Sequence, residues 1–195
     1  SFALVANFFS VSLVFFLGLV AGYWRTWATE FLMRVSDVLQ SFPVFISAMI
    51  LVALAGRSTG NIVLALAMLY TPIYIRLTRA EVMAQKTRGF VAAARAIGLT
   101  EMQIDLRHVL PHSLTPALIQ SSVTIGFAIL LTAGLSFVGA GVRPPTPEWG
   151  LMISTGANQI ILGEWWPSVF PGIAISLSVF GFAVLGNALE RRNDR

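Results

Sequence analysis

Cysteine is absent from this 195-residue chain, which excludes disulfides and thiolate metal sites. Charge is scarce: Asp, Glu, Lys and Arg make up 11% of the residues, against about 25% in a soluble domain. Histidine occurs twice and lysine once. Such a deficit excludes a disordered chain, a nucleic-acid-binding domain and an ordinary cytosolic enzyme. The net charge of +4 does not reverse this, because 13 basic residues spread between apolar runs form no basic face. What is abundant is apolar: 56% of residues are hydrophobic and the mean hydropathy is +0.77. The composition is that of an integral membrane protein with its basic residues in the loops.

Further absences narrow the chemistry. The one lysine, Lys86, follows Gln85, so no Gly-Lys-Ser/Thr element exists to cradle a nucleotide phosphate. An intramembrane metalloprotease would need HExxH, and HVLPH (His108–His112) lacks the glutamate and carries Pro111. No histidine lies within an apolar run to act as base for a serine hydrolase. No catalytic residue and no metal ligand is therefore expected. Ion-coupled carriers place an ionisable residue at membrane depth, and channels need a charged ring or filter. Neither is present, although an ion-coupled secondary transporter stays as the alternative class.

A spanning helix needs about 20 mostly apolar residues. Five charge-free runs qualify, over residues 1–24, 38–56, 58–75, 113–142 and 165–189. In the first, Gly18 and Gly22 form a GxxxG pair, either a close-packing face or a coincidence in a glycine-rich chain. Five spans divide the loops into two sets. One set holds Arg25, Arg34, Arg76, Arg79, Lys86, Arg88, Arg95, Arg107, Arg191, Arg192 and Arg195; the other holds Arg57 and Arg143. By the positive-inside rule, the long loop and the C-terminus are cytoplasmic and Ser1 lies outside. Trp24, Trp27, Trp149, Trp165 and Trp166 fall near the expected boundaries, where amphipathic rings favour the headgroup layer. The outside start, without a basic n-region or cleavage pattern, suggests a chain that has lost an upstream helix.

The loop 76–112 is patterned as an elbow. Phe90, Val91, Ala94 and Ile97 follow helical spacing, and Gly98 stops that limb. Thr100 with Gln103 reads as a capping box. Met102, Leu106 and Val109 would form the apolar face of a second limb, which Pro111 closes. On pattern alone this elbow is either a docking surface, its small alanines allowing close approach, or an amphipathic connector lying on the membrane.

The stretch FVAAARAIGLTEMQIDLRHVLPHSLTPALIQ resembles the EAA loop of binding-protein-dependent ABC transporter permeases. Ala92, Ala93 and Ala94 stand at the EAA positions, Gly98 at the glycine and Leu110–Pro111 at the closing pair. Ala92 replaces the glutamate, and His108 stands at the isoleucine position, as is common in the peptide-permease branch. RLTRAEVMAQKTRGFV matches the lead-in, and LSFVGAGVRPPTPEWGLMIS is similar to the second permease subunit of dipeptide, oligopeptide and nickel importers.

The resemblance implies one all-α, polytopic integral membrane domain over residues 1–195 with the type I ABC importer permease fold, its five spans corresponding to family spans two to six. It also implies a bacterial inner-membrane location and four partner types: a sister permease, two ATP-binding subunits that hold ATP and Mg, an extracytoplasmic substrate-binding protein, and membrane lipid. Within that reading Arg88, Ala92, Ala93, Ala94, Arg95, Gly98 and Leu99 would couple to the ATPase. Pro144, Pro145, Pro147, Glu148 and Trp149 would meet the binding protein or the sister subunit, or would simply cap two helices. Peptides are the expected cargo, with nickel, glutathione and short glycans as alternatives.

Overall fold

A computed structural model describes residues 27–193. The expected span 1–24, with Gly18, Gly22 and Trp24, lies outside the described residues, as do Arg25 and Arg195. Among the described residues every element is helical. In chain order they are α1 (Trp27–Ser41), α2 (Val44–Ala55), α3 (Thr59–Lys86), α4 (Gly89–Ala96), α5 (Glu101–Ile104), a π-helical turn (Asp105–Val109), α6 (Leu110–Phe137), α7 (Trp149–Ile160) and α8 (Trp166–Asn193).

The expected span 38–56 is split at Pro43. Proline has no N–H and drives the residue before it out of the helical region, so α1 stops at Ser41 and α2 begins afresh, Ser47 N donating to the Pro43 carbonyl at 3.1 Å. At 12 residues α2 is about 18 Å long, well short of the hydrocarbon core of about 30 Å. The Asn61 amide donates to the Ala55 and Gly56 carbonyls at 2.5 and 3.0 Å, closing the corner between α2 and α3.

Three helices among the described residues are long and apolar enough to cross a membrane. Each contains a proline, Pro72 in α3, Pro116 in α6 and Pro171 in α8, and each helix continues through it, as spanning helices in a bundle tolerate. Thr71, Ser113, Ser121, Thr132 and Ser178 turn their hydroxyls onto carbonyls four residues back.

Helix α3 is the centre of the bundle and α8 its edge: 56% of the apolar window of α3 is buried but only 17% of that of α8. Helices α3 and α6 run antiparallel, Tyr74 meeting Ser121 while Val82 shares a cluster with Val109. Helix α8 is antiparallel to α6, with Gly126 against Val179 and Gly186 against Ser122. The main core joins Val52, Ile62, Leu66, Leu69, Tyr74, Ala117, Ala128 and Leu135. The outward face of α8, Phe170, Ile173, Leu177, Phe180 and Val184, is exposed at spacings of three and four, as a helix facing lipid or another subunit requires.

The end of the bundle formed by the C-termini of α3 and α8 and the N-terminus of α6 also gathers the charges of α1, where Arg76 pairs with Asp37 at 2.5 Å and Arg79 with Glu30 at 3.2 Å. From Glu101 to Phe137 the chain is one continuous 37-residue rod, about 55 Å long. Its charged first turns therefore stand clear of a hydrocarbon core of about 30 Å.

Candidate functional site

The elbow begins where α3 ends. Arg88 is the N-cap residue of α4, extended at φ −77 and ψ 151, and it is exposed. Helix α4 ends at a Gly98 of φ +85. Leu99 N donates to Ala94 O at 3.2 Å and Gly98 N to Arg95 O at 3.0 Å, which is the Schellman pattern. The left-handed conformation explains the glycine, since a Cβ there is strained. The next turn carries the anticipated capping box: Gln103 N donates to Thr100 Oγ1 at 3.3 Å, and Thr100 N to Gln103 Oε1 at 3.0 Å.

Two expectations about the second limb need correction. Pro111 does not close it. The helix passes through the π-helical turn, where Leu110 N donates to Asp105 O, and Pro111 sits in the first turn of α6, where a missing N–H costs little. Met102 and Leu106 do not form the buried face either; they are 69% and 54% exposed, while Ile104, Asp105 and Val109 face inward. The π-turn holds one extra residue per turn, so Ile104 and Val109, five apart, share the side that a straight α-helix would not give them. On the first limb Ile97 similarly faces out, at 78% exposure.

What the elbow does bury is a small core of its own, Val82, Val91, Ala94, Ile104 and Val109, flanked by Phe90 and Leu99. Phe90 also stacks on His112 with ring centroids 5.6 Å apart, and the His112 ring meets the His108 carbonyl at 2.7 Å. Of the residues expected to couple, Ala92 and Ala93 are exposed, whereas Ala94 is buried and Leu99 half-buried. Arg95 does not reach outward freely: its Nε and a terminal nitrogen grip both Glu101 oxygens at 2.5 and 3.0 Å. Those hydrogen bonds hold the Glu101 carboxyl below its ordinary range.

Two residues with no local sequence signal complete the site. Asp105 is buried, 7% exposed, with Lys86 Nζ 3.8 Å away. Burial pushes the Asp105 carboxyl up, against the pull of the Lys86 ammonium.

At the other end of the bundle α6 closes with a second Schellman turn at Gly139, where Ala140 N donates to Leu135 O at 2.8 Å. Pro144, Pro145 and Pro147 are exposed on the connection that follows. Glu148 is the N-cap of α7, accepting from Leu151 N at 2.8 Å, so its carboxylate is committed to the helix. Trp149 is 40% exposed. Gly150 lies against the backbone of Ala133 in α6, and the Ser168 hydroxyl donates to Ile153 O at 3.1 Å. These contacts clamp α7 between α6 and α8. The structure thus brings the residues of the Arg88–Leu99 group together at one end and the proline-rich group at the other.

Comparison with known proteins places this geometry. A family described as binding-protein-dependent transport system inner membrane component matches residues 15–195. The chain is similar to the dipeptide transport system permease protein DppC of Alkalihalophilus pseudofirmus, 38% identical over 192 residues, covering 96% of this chain and 63% of that protein. It is similar to the glutathione transport system permease protein GsiD of Pectobacterium atrosepticum, 37% identical over 174 residues (89% and 58% of the two chains). DppC of Escherichia coli strain K12 is 41% identical over 159 residues, 82% of this chain and 53% of that one. The chain thus spans between half and two thirds of the length of these relatives. Among solved structures, an inward-facing methionine ABC transporter MetNI superposes with a TM-score of 0.76 at 18% identity, over 100% of this chain and 92% of that one. That likeness shows the fold.

Proposed function

We propose that this chain, which belongs to the family of binding-protein-dependent transport system inner membrane components, is a permease subunit that forms half of a pathway for peptides or peptide-like solutes. The observation that carries the reading is the elbow: a capped, self-packed helical hairpin at the charge-rich end of the bundle, with Ala92 and Ala93 exposed and Ile97, Met102 and Leu106 turned outward. Small and apolar residues presented on a rigid support suit a protein partner more than a membrane surface, since side chains fixed before contact cost little entropy to dock.

In this reading the elbow seats on an ATP-binding subunit, which supplies the ATP and Mg chemistry from a separate polypeptide. Closure of the ATPase pair displaces the elbow and shifts the bundle between outward- and inward-facing states, the bias being the difference in binding between the two. A sister permease covers the other side of the pathway, against faces such as that of α8. A substrate-binding protein delivers cargo at the opposite end, where the Pro144–Trp149 connection stands. The split of eleven basic residues against two over the five expected spans supports a cytoplasmic elbow and C-terminus for this inner-membrane, multi-pass chain. Cargo with a peptide bond is supported by relatives named for dipeptides and glutathione.

The test is reconstitution with the sister permease, ATPase subunits and binding protein, using labelled dialanine and labelled glutathione. ATP-dependent accumulation of either one supports the reading. Uptake driven by an ion gradient alone, with no need for the ATPase, contradicts it in favour of a secondary transporter.

A further inference from the structure

Asp105 is the one carboxylate among the buried polar side chains of the described residues. Among the described residues neither of its oxygens has a hydrogen-bond partner, and the cation facing it, Lys86 at 3.8 Å, is the single lysine of the chain. The groups beside the pair are Gln85, buried and bonded through its amide to Glu81 at 2.6 Å, and the exposed Arg95–Glu101 clasp.

The setting gives the pair a mechanical position. Lys86 is the last residue of α3, and Asp105 opens the π-turn at the root of α6. The elbow's own core takes Val82 from α3 and Ile104 and Val109 from either side of Asp105 along the chain. That core is separate from the main one, which reaches Ile75 on α3 and Ala117 on α6. Between the two cores sit Thr78 and Ser113, both buried, the latter bonded to the Val109 carbonyl at 2.9 Å. A buried ion pair is weak evidence for stability, because desolvation offsets its attraction, and its best-attested use is to fix one arrangement against others.

We propose that Lys86 and Asp105 are positioning residues for coupling: their ion pair locks the end of α3 to the root of α6, so that a displacement of the elbow is handed to both long helices together. The proposal rests on the permease reading above. Apolar packing of the small core alone tolerates sliding, since it is non-directional. The charge pair fixes which turn of α3 faces which turn of α6. Without it the elbow still folds and still binds its partner, but the displacement is dissipated within the elbow's core rather than carried into the spans.

The experiment uses the complete reconstituted transporter with labelled dialanine. It compares the unaltered chain with Asp105→Asn, Lys86→Met and the exchanged pair Lys86→Asp/Asp105→Lys. The expected result is that both single variants co-assemble with the ATPase subunits and hydrolyse ATP, while dialanine taken up per ATP falls at least about fivefold. The exchanged pair should recover most of that ratio; a fall in the ratio with assembly and hydrolysis retained is what a merely structural role would not produce. Because the exchange places a lysine in a buried site and can fail to fold, a second readout stands beside it. Spin labels at the exposed Ala96 and Leu118 should give a narrow distance distribution in the unaltered complex and a broad one in Asp105→Asn.

An unchanged uptake-to-ATP ratio in both single variants, or an unchanged distance distribution, overturns the proposal. So does loss of assembly in Asp105→Asn, since the pair would then serve folding. Failure of the unaltered chain itself to assemble with an ATPase would instead overturn the permease reading.

Discussion

Arg95 and Glu101 clasp each other across the Gly98 turn through two hydrogen bonds of 2.5 and 3.0 Å, joining the last turn of α4 to the first of α5. The two side chains are about half exposed, and an exposed pair contributes little to stability. Arg95→Ala should leave the melting temperature of the detergent-solubilised chain nearly unchanged. The depressed carboxyl of Glu101 gives the sign of its pH dependence: any stabilisation is present above the unfolded-state value and is lost as pH falls through the lower folded-state one. The melting difference between the unaltered chain and Glu101→Gln should therefore be constant through the neutral range and change only in acid.

Gly98 carries a different kind of constraint. Its φ of +85 is left-handed, but a Cβ there would meet nothing within 4 Å, so only the backbone resists substitution. Gly98→Ala should cost about 1–2 kcal/mol, and Gly98→Asn less, as measured by denaturation of the purified chain. A bulky charged residue at Gly98 or Ala93 should in addition uncouple transport from ATP hydrolysis without preventing membrane insertion.

Gly150 should tolerate nothing larger. A Cβ at this position would lie 2.1 Å from the Ala133 carbonyl oxygen, which is backbone and has no rotamer to escape into. Gly150→Ala should destabilise by about 1–3 kcal/mol or more, seen as lower yield and an earlier melt. Gly181→Ala in α8 is the control: a Cβ there meets nothing within 4 Å, and exchanging glycine for alanine inside a helix should be neutral or stabilising by up to about 1 kcal/mol.

Ile104 is fully buried in the elbow's small core. Ile104→Ala should cost about 2–5 kcal/mol locally, and faster backbone hydrogen exchange should be confined to α4, α5 and the π-turn. Spread of the loss into α3 and α6 along their whole length would contradict a separate core.

How much of this was legible depends on whether the signal is local. The Thr100–Gln103 capping box and the Gly98 turn are written in four or five adjacent residues, and the structure has them. The π-turn has no such signature, and its one extra residue rotates everything after it. That is why Met102 and Leu106, in phase with Val109 by ordinary helical counting, point outward while Ile104 and Asp105 point in. Prolines show the same limit: Pro43 breaks a helix whereas Pro72, Pro116 and Pro171 do not, and what separates them is the surrounding packing. At the candidate site the alanines were visible, but the inward turn of Ala94, the Phe90–His112 stack and the Lys86–Asp105 pair are made by α3 and α6 coming together, which no short stretch of sequence encodes. Glu148, expected to meet a partner or to cap helices, accepts from Leu151 N as the N-cap of α7.

The central claim is that the elbow is the seat of an ATP-binding partner, and the most direct measurement is site-specific crosslinking from Ala93 in native membranes with mass identification of the adduct. The account predicts an ATP-binding subunit joined to this residue. Crosslinks only to lipid or to another copy of this chain would contradict it.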